Sequence, residues 1–256
     1  MRAFPILGDE VLITLHVEVP YASFRKSYAR SFAETYPLPP PATVYGMLLS
    51  LVGERFRRRH EGVRLAFAYK CRCDDEFYKH RRNDGDCRDK CLPHIATTLR
   101  KLSRYKYGVP SKQSKLGNAP DFIETLCGIE FLCWVDSSQE KADEDGRPKG
   151  DGLGLEGRIV EAIQSPTSVD RYSLLCLGLS DDAVNDVSLC QTFSGVWHRL
   201  SPSDTGTMEL PVWVDHVGAA NTRWRRFEFE ETASPVTESP GTPDWAWTQI
   251  IDPRPS

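Results

Sequence analysis

Four cysteines, Cys71, Cys73, Cys87 and Cys91, stand at C-x-C and C-x3-C spacing in a polar, charged stretch without hydrophobic periodicity. Four thiolates so grouped can close a tetrahedral Zn²⁺ site, and a segment too polar to bury a core is one that a metal clip would order. His80 and His94 are substitute ligands. The spacing is not that of a standard zinc module, and the other reading is a surface insertion holding unrelated thiols. A second group follows directly. The run from Ala96 to Tyr107 interleaves Arg100, Lys101, Arg104 and Lys106 with Tyr105 and Tyr107. Cations meet phosphates and tyrosine rings stack on unpaired bases, so the pattern suits single-stranded RNA; the alternative is a solvated amphipathic strand. Glu54 to His60 (ERFRRRH) is equally dense in cations, either a helix end whose charges complement the dipole or a phosphate contact.

Enzyme chemistry is harder to assemble. The sequence has no P-loop, nucleophile elbow, HExxH or metal-nuclease pattern. Metal-free RNA cleavage would need a base, an acid and a cation, roles open to His, Tyr and Lys, but the six histidines are scattered.

The elements that must position these groups are legible in outline. Val11 to Val19 alternates and is rich in β-branched residues, a strand with His16 packed inside it. Pro37, Pro39, Pro40 and Pro41 make an extended arm feeding a helix that begins at Ala42, Thr43 or Val44. Val44, Met47, Leu48, Leu51 and Val52 form its buried stripe, Gly46 lets a neighbouring backbone come close, and Gly53 is its C-terminal cap. Arg64 to Lys70 and Ile129 to Val135 read as strands, and Leu155 to Ile163 as a second amphipathic helix. The order is β-α-β…β-α-β, which predicts an α+β, ferredoxin-like or RRM-like fold.

At 256 residues with 40% hydrophobic composition the chain can bury a substantial core. Net charge of −4 argues against generic nucleic-acid binding, but the charge is segregated: residues 92–120 lack Asp and Glu, whereas 136–151 form an acidic loop. No apolar run approaches the ~20 residues of a membrane helix, and eight cysteines without a secretion signal read as reduced thiols or ligands. The expectation is a cytoplasmic protein that does not enter membranes.

Several blocks in order resemble one family. Pro20-Tyr21-Ala22-Ser23-Phe24-Arg25-Lys26, the Pro37–Gly53 unit and Asn118-Ala119-Pro120-Asp121 are similar to the CRISPR-associated RAMP-superfamily subunit that holds the 5′ end of crRNA in type I Cascade, the Cas-five family. Arg171, Tyr172, Leu174, Leu177, Gly178 and Ser180 resemble its Arg-aromatic-Gly block, with Ser173 where Gly is common and Asp181 where Glu is frequent. Leu210 to His216 and Thr222-Arg223-Trp224 resemble its last hairpin, closest to the myxobacterial DevS-like branch.

That resemblance implies a RAMP domain over 1–190 with an insertion at about 71–118 bearing a basic hairpin, a small C-terminal β element over 191–230, and a disordered tail over 231–256. It implies RNA contacts from Phe24, Arg25, Lys26, Tyr45, Arg171, Tyr172, Arg223 and Trp224, beside Arg100, Lys101, Arg104 and Lys106. The implied partners are crRNA, the Cascade backbone subunit, the large PAM-reading subunit and target DNA, with a nuclease-helicase or transposition proteins downstream. No cofactor is required; zinc rests on the cysteines alone. The alternatives are a crRNA-processing endoribonuclease of the same fold and a zinc-clipped interaction module.

Overall fold

Alternating apolar and polar residues along Ile13–Ala22 build β1, and this strand sets the order of a mixed, mainly antiparallel sheet. The computed structural model describes residues 12–26, 32–70, 92–104, 117–141, 153–171, 173–190, 197–217, 220–231 and 247–253. After β1 come β2 (Phe32–Ala33), α1 (Pro41–Leu51), β3 (Arg64–Lys70), β4 (His94–Arg104) and β5 (Gly117–Asp136). α2 (Leu155–Gln164), β6 (Asp186–Leu189), β7 (Trp197–Pro202), β8 (Met208–Trp213), β9 (Arg223–Glu231) and β10 (Thr248–Gln249) complete the order. The main path runs β6-β1-β5-β3-β7-β9-β8. β5 is the long shared strand: its second half pairs with β1 and β3, and its first half with β4, from His94↔Cys127 to Arg104↔Gly117.

Period-two alternation divides the sheet's faces. Leu15, Val17 and Val19 of β1, Phe67 and Tyr69 of β3, and Phe131 and Val135 of β5 join Val44, Leu48 and Leu51 of α1 and Ile159 of α2 in the main core. Ala66, Ala68, Leu132, Trp134 and Trp197 form a second cluster. The strands β7, β9 and β8 extend the same sheet outward from β3.

α1 begins at Pro41, earlier than expected, because proline at the first helical position loses no hydrogen bond and its fixed φ suits the turn. Its end is a closed Schellman turn. Gly53 has φ of +67°, its N–H reaches the Ser50 carbonyl at 3.2 Å, and the Glu54 N–H reaches that of Leu49 at 2.8 Å. Gly46 corrects the sequence reading. It is exposed, and a Cβ there would meet nothing within 4 Å, so no neighbouring backbone comes close. It weakens the helix by about 1 kcal/mol relative to alanine without serving the packing.

Residues 247–253, expected in a disordered tail, are docked instead. β7 pairs with Phe67 to Lys70, leaving Arg64 and Leu65 for β10, while Ile250 is fully buried and Asp252 pairs with Arg58 at 2.7 Å. The apolar side chain and the unfilled strand edge outweigh the polar composition around them.

Candidate nucleic-acid interface

The turn after β1 is laced into place by backbone and side-chain bonds. Ser23 N–H donates to Asp182 Oδ2 at 2.8 Å, Phe24 N–H to Thr35 Oγ1 at 2.8 Å, and Lys26 N–H to the Glu34 carbonyl at 3.1 Å. Arg25 is left exposed and Lys26 Nζ lies 3.2 Å from Glu34. Gly178 adopts φ of +109°, and a Cβ there would sit 2.9 Å from both the Ser23 carbonyl and Asp182 Oδ2. Asp182, fully buried, also accepts from Leu179 N–H at 2.9 Å, so it closes the turn that the sequence left open around Ser173 and Asp181.

Lys26 and Trp224 meet in one cleft of about 490 Å³, lined also by Tyr36, Pro37 and Thr207 to Glu209. Trp224 is 41% exposed, its ring 6.1 Å from that of Tyr36 and tilted by 53°. Arg223, Arg225 and Arg226 stand exposed along the same strand. A cation, an open indole face and a tyrosine wall can hold a phosphate and stack an unpaired base. Tyr36 was missed as a site residue because it sits before the proline arm, where it reads as part of the arm; Asp182 was missed because Asp181 drew the comparison.

Three expected contacts have other work. Phe24 is 3% exposed and packs in the core, since the laced turn points it inward. Tyr45 is fully buried, donates to the Arg57 carbonyl at 2.6 Å and packs 6.3 Å from Trp213; burial pushes its phenol well above the usual range. Arg171 Nε donates to the Leu51 carbonyl at 2.9 Å, satisfying the end of α1. Arg100, Lys101 and Arg104 fall on β4, opposite Asp121, Pro120 and Gly117, where only the backbone is described. Lys106, Tyr172 and the quartet Cys71, Cys73, Cys87 and Cys91 lie outside the described residues.

Much of the cationic run before β3 is turned back onto the protein rather than left as a solvated helix end. Arg57 donates to the Val214 carbonyl at 2.9 Å and lies 4.4 Å over the Trp213 ring, while Arg59 and Arg158 both grip Glu54, at 2.8 and 2.6 Å. His60, fully buried, receives Arg158 Nη1 at Nε2, which leaves Nδ1 to donate to Glu140 at 2.9 Å. Burial disfavours the Glu54 anion, but hydrogen bonds from Arg158 and Arg59 outweigh it and hold the carboxyl down at about 2. These residues staple α1, α2 and the turn between α1 and β3 together.

One group among the described residues has ligand atoms close enough to share a cation: His16, Glu18 and Glu130, within 4.8 Å of one another. Lys70 Nζ already lies 2.6 Å from Glu130, and the hydrogen bond that His16 Nε2 donates to Glu130 raises the His16 pKa against the effect of burial. An ion-pair network accounts for the arrangement.

No described helix is long and apolar enough to cross a membrane. A sequence profile of the family described as "CRISPR-associated protein (Cas_Cas5)" matches residues 12–83. The chain superposes with a TM-score of 0.51 and 12% identity on a chain of a "CRISPR RNA-guided surveillance complex", over 90% of this chain and 92% of that one, a likeness of fold. It is 36% identical over 223 residues to the "CRISPR-associated protein Cas5" of Myxococcus xanthus (strain DK1622), covering 86% of this chain and 91% of that protein. Likeness at that level over nearly the whole of both chains makes this protein a member of the Cas5 family of CRISPR-associated proteins.

Proposed function

We propose that this chain is a non-catalytic subunit of a type I Cascade surveillance complex that holds the 5′ handle of the crRNA. Its β-α-β-β-α-β core serves as a ferredoxin-like RAMP platform, and it sits beside the repeating backbone subunit and the large PAM-reading subunit. The observation that carries this reading is the cleft in which Lys26 and Trp224, from opposite ends of the chain, converge with Tyr36 next to the exposed Arg25. Such a site takes a single strand: the cation neutralises a phosphate and the indole stacks a base that a duplex would withhold. The β4 cations Arg100, Lys101 and Arg104, with Lys106 beyond them, supply further phosphate contacts.

Fluorescence anisotropy with a labelled repeat-derived handle RNA tests this. Trp224→Ala should weaken binding roughly 5- to 100-fold, in line with the stacking of one base. Lys26→Ala should reduce the slope of log affinity against log salt by about one phosphate contact, and the Arg100, Lys101, Arg104 and Lys106 quadruple alanine variant by about four. Unchanged affinity and slope in all three variants would overturn the proposal. Precursor RNA incubated with the protein in EDTA should stay intact, and cleavage at a defined position would make the chain a nuclease instead.

A further inference from the structure

Gly46 occupies the middle of α1 although neither the helix nor the packing asks for a glycine. At Gly53 and Gly178 a left-handed backbone and a close carbonyl explain the residue. Gly46 has no positive φ and no neighbour within 4 Å of a Cβ position. Any other residue except proline would strengthen the helix there. The missing side chain matters only to the space above it, and that space is a cleft of about 450 Å³ between α1, the Gly178 turn and the segment at Val214 and His216. Thr43, Gly46, Met47 and Ser50, at i, i+3, i+4 and i+7, put one face of the helix along it.

We propose that this cleft receives one unstacked nucleotide of the bound RNA, its base lying on the bare backbone at Gly46. The inference rests on the handle-binding reading and deepens it, since it adds a base-selective subsite. The volume suits a small ligand of nucleotide size. A glycine floor lets a planar ring approach the helix closely, and the Met47 thioether gives it a polarizable wall. Hydroxyls of Thr43, Ser50 and Ser173 line the same space and can bond to the edges of a base, while Arg57 lines it with positive charge. Glu54, the carboxylate of the lining, is gripped by Arg59 and Arg158, so it does not repel a phosphate. The clefts also connect along the chain: Pro37 lines the Lys26–Trp224 cleft and Ala42 lines this one, with the rigid proline arm between them. A strand seated at Trp224 can therefore continue over the arm to α1.

The test fills the space without disturbing the fold. Gly46→Ala and Gly46→Met should melt at or above the wild-type temperature, because both are better helix formers, a Cβ there meets nothing within 4 Å, and the rest of the methionine side chain extends into the open cleft. Gly46→Met should bind the handle RNA at least tenfold more weakly, and Gly46→Ala less so. An RNA series with single abasic positions should contain one that weakens wild-type binding but leaves Gly46→Met unaffected. Wild-type affinity in Gly46→Met, with no such position, would overturn the subsite while the Lys26 and Trp224 variants still report on handle binding. If Gly46→Met keeps its RNA affinity but no longer co-purifies with the other Cascade subunits, the cleft holds polypeptide and the nucleotide proposal fails. A wild-type chain that binds no handle RNA removes the reading on which the subsite rests.

Discussion

Glu54 shows how much one carboxylate can hold. Its side chain is 2% exposed and bonded to Arg59, to Arg158 and to the Phe56 N–H. A group held at about 2 from an ordinary 4.5 contributes stability that is complete above the ordinary value and drains away as pH falls toward the lowered one. The melting temperature should therefore include a Glu54-dependent loss between about pH 4.5 and 2, and Glu54→Gln should remove that limb from a pH series of thermal melts. At pH 7 the same substitution should lower stability by about 2 kcal/mol in urea unfolding, because two charge-assisted bonds are weakened at once. The sequence showed the density of charge from Glu54 to His60 but not its direction. Residue type alone does not say whether an arginine faces phosphate or a carboxylate brought up by another element. Tyr45 and Phe24 misled for the same reason, since an aromatic ring stacks on a base or fills a core with equal ease.

At the scale of elements, the sequence was most informative where one pattern dominated. The strand expected at Arg64 to Lys70 forms over those residues, and the helix expected at Leu155 to Ile163 runs to Gln164. Gly53 caps α1 as its position suggested, because a left-handed residue is a local need. Legibility failed where an element depends on a distant partner. Thr248–Gln249 has no strand signature of its own; it forms because β3 offers an unfilled edge and Ile250 a place in the core. Ile250→Ala should lower stability by about 2–4 kcal/mol in chemical denaturation, as for other fully buried aliphatic side chains. A loss below about 0.5 kcal/mol, the range of an exposed position, would return this segment to the status of a tail.

For the molecule as a whole, the alternation of strand and helix was legible in outline, but the order β6-β1-β5-β3 was not, and least of all the meeting of Lys26 with Trp224. It needs the outward run of β7, β9 and β8, whose register no local pattern records. The central place of β5 also has a consequence during synthesis. Ile13 faces Val135 and Ala22 faces Leu126, so β1 emerges from the ribosome as an apolar strand whose partner does not yet exist. At about 5–20 residues per second the wait is on the order of ten seconds. Chains truncated at Pro120 and released from the ribosome should be cut by protease within β1, and released chains truncated at Lys141, which carry the whole of β5, should be cut more slowly; equal cleavage of the two would refute this order of events. Slower translation lengthens the interval in which a naked strand edge can find the wrong neighbour, so this protein's yield should depend on the pace at which it is made as well as on its final stability.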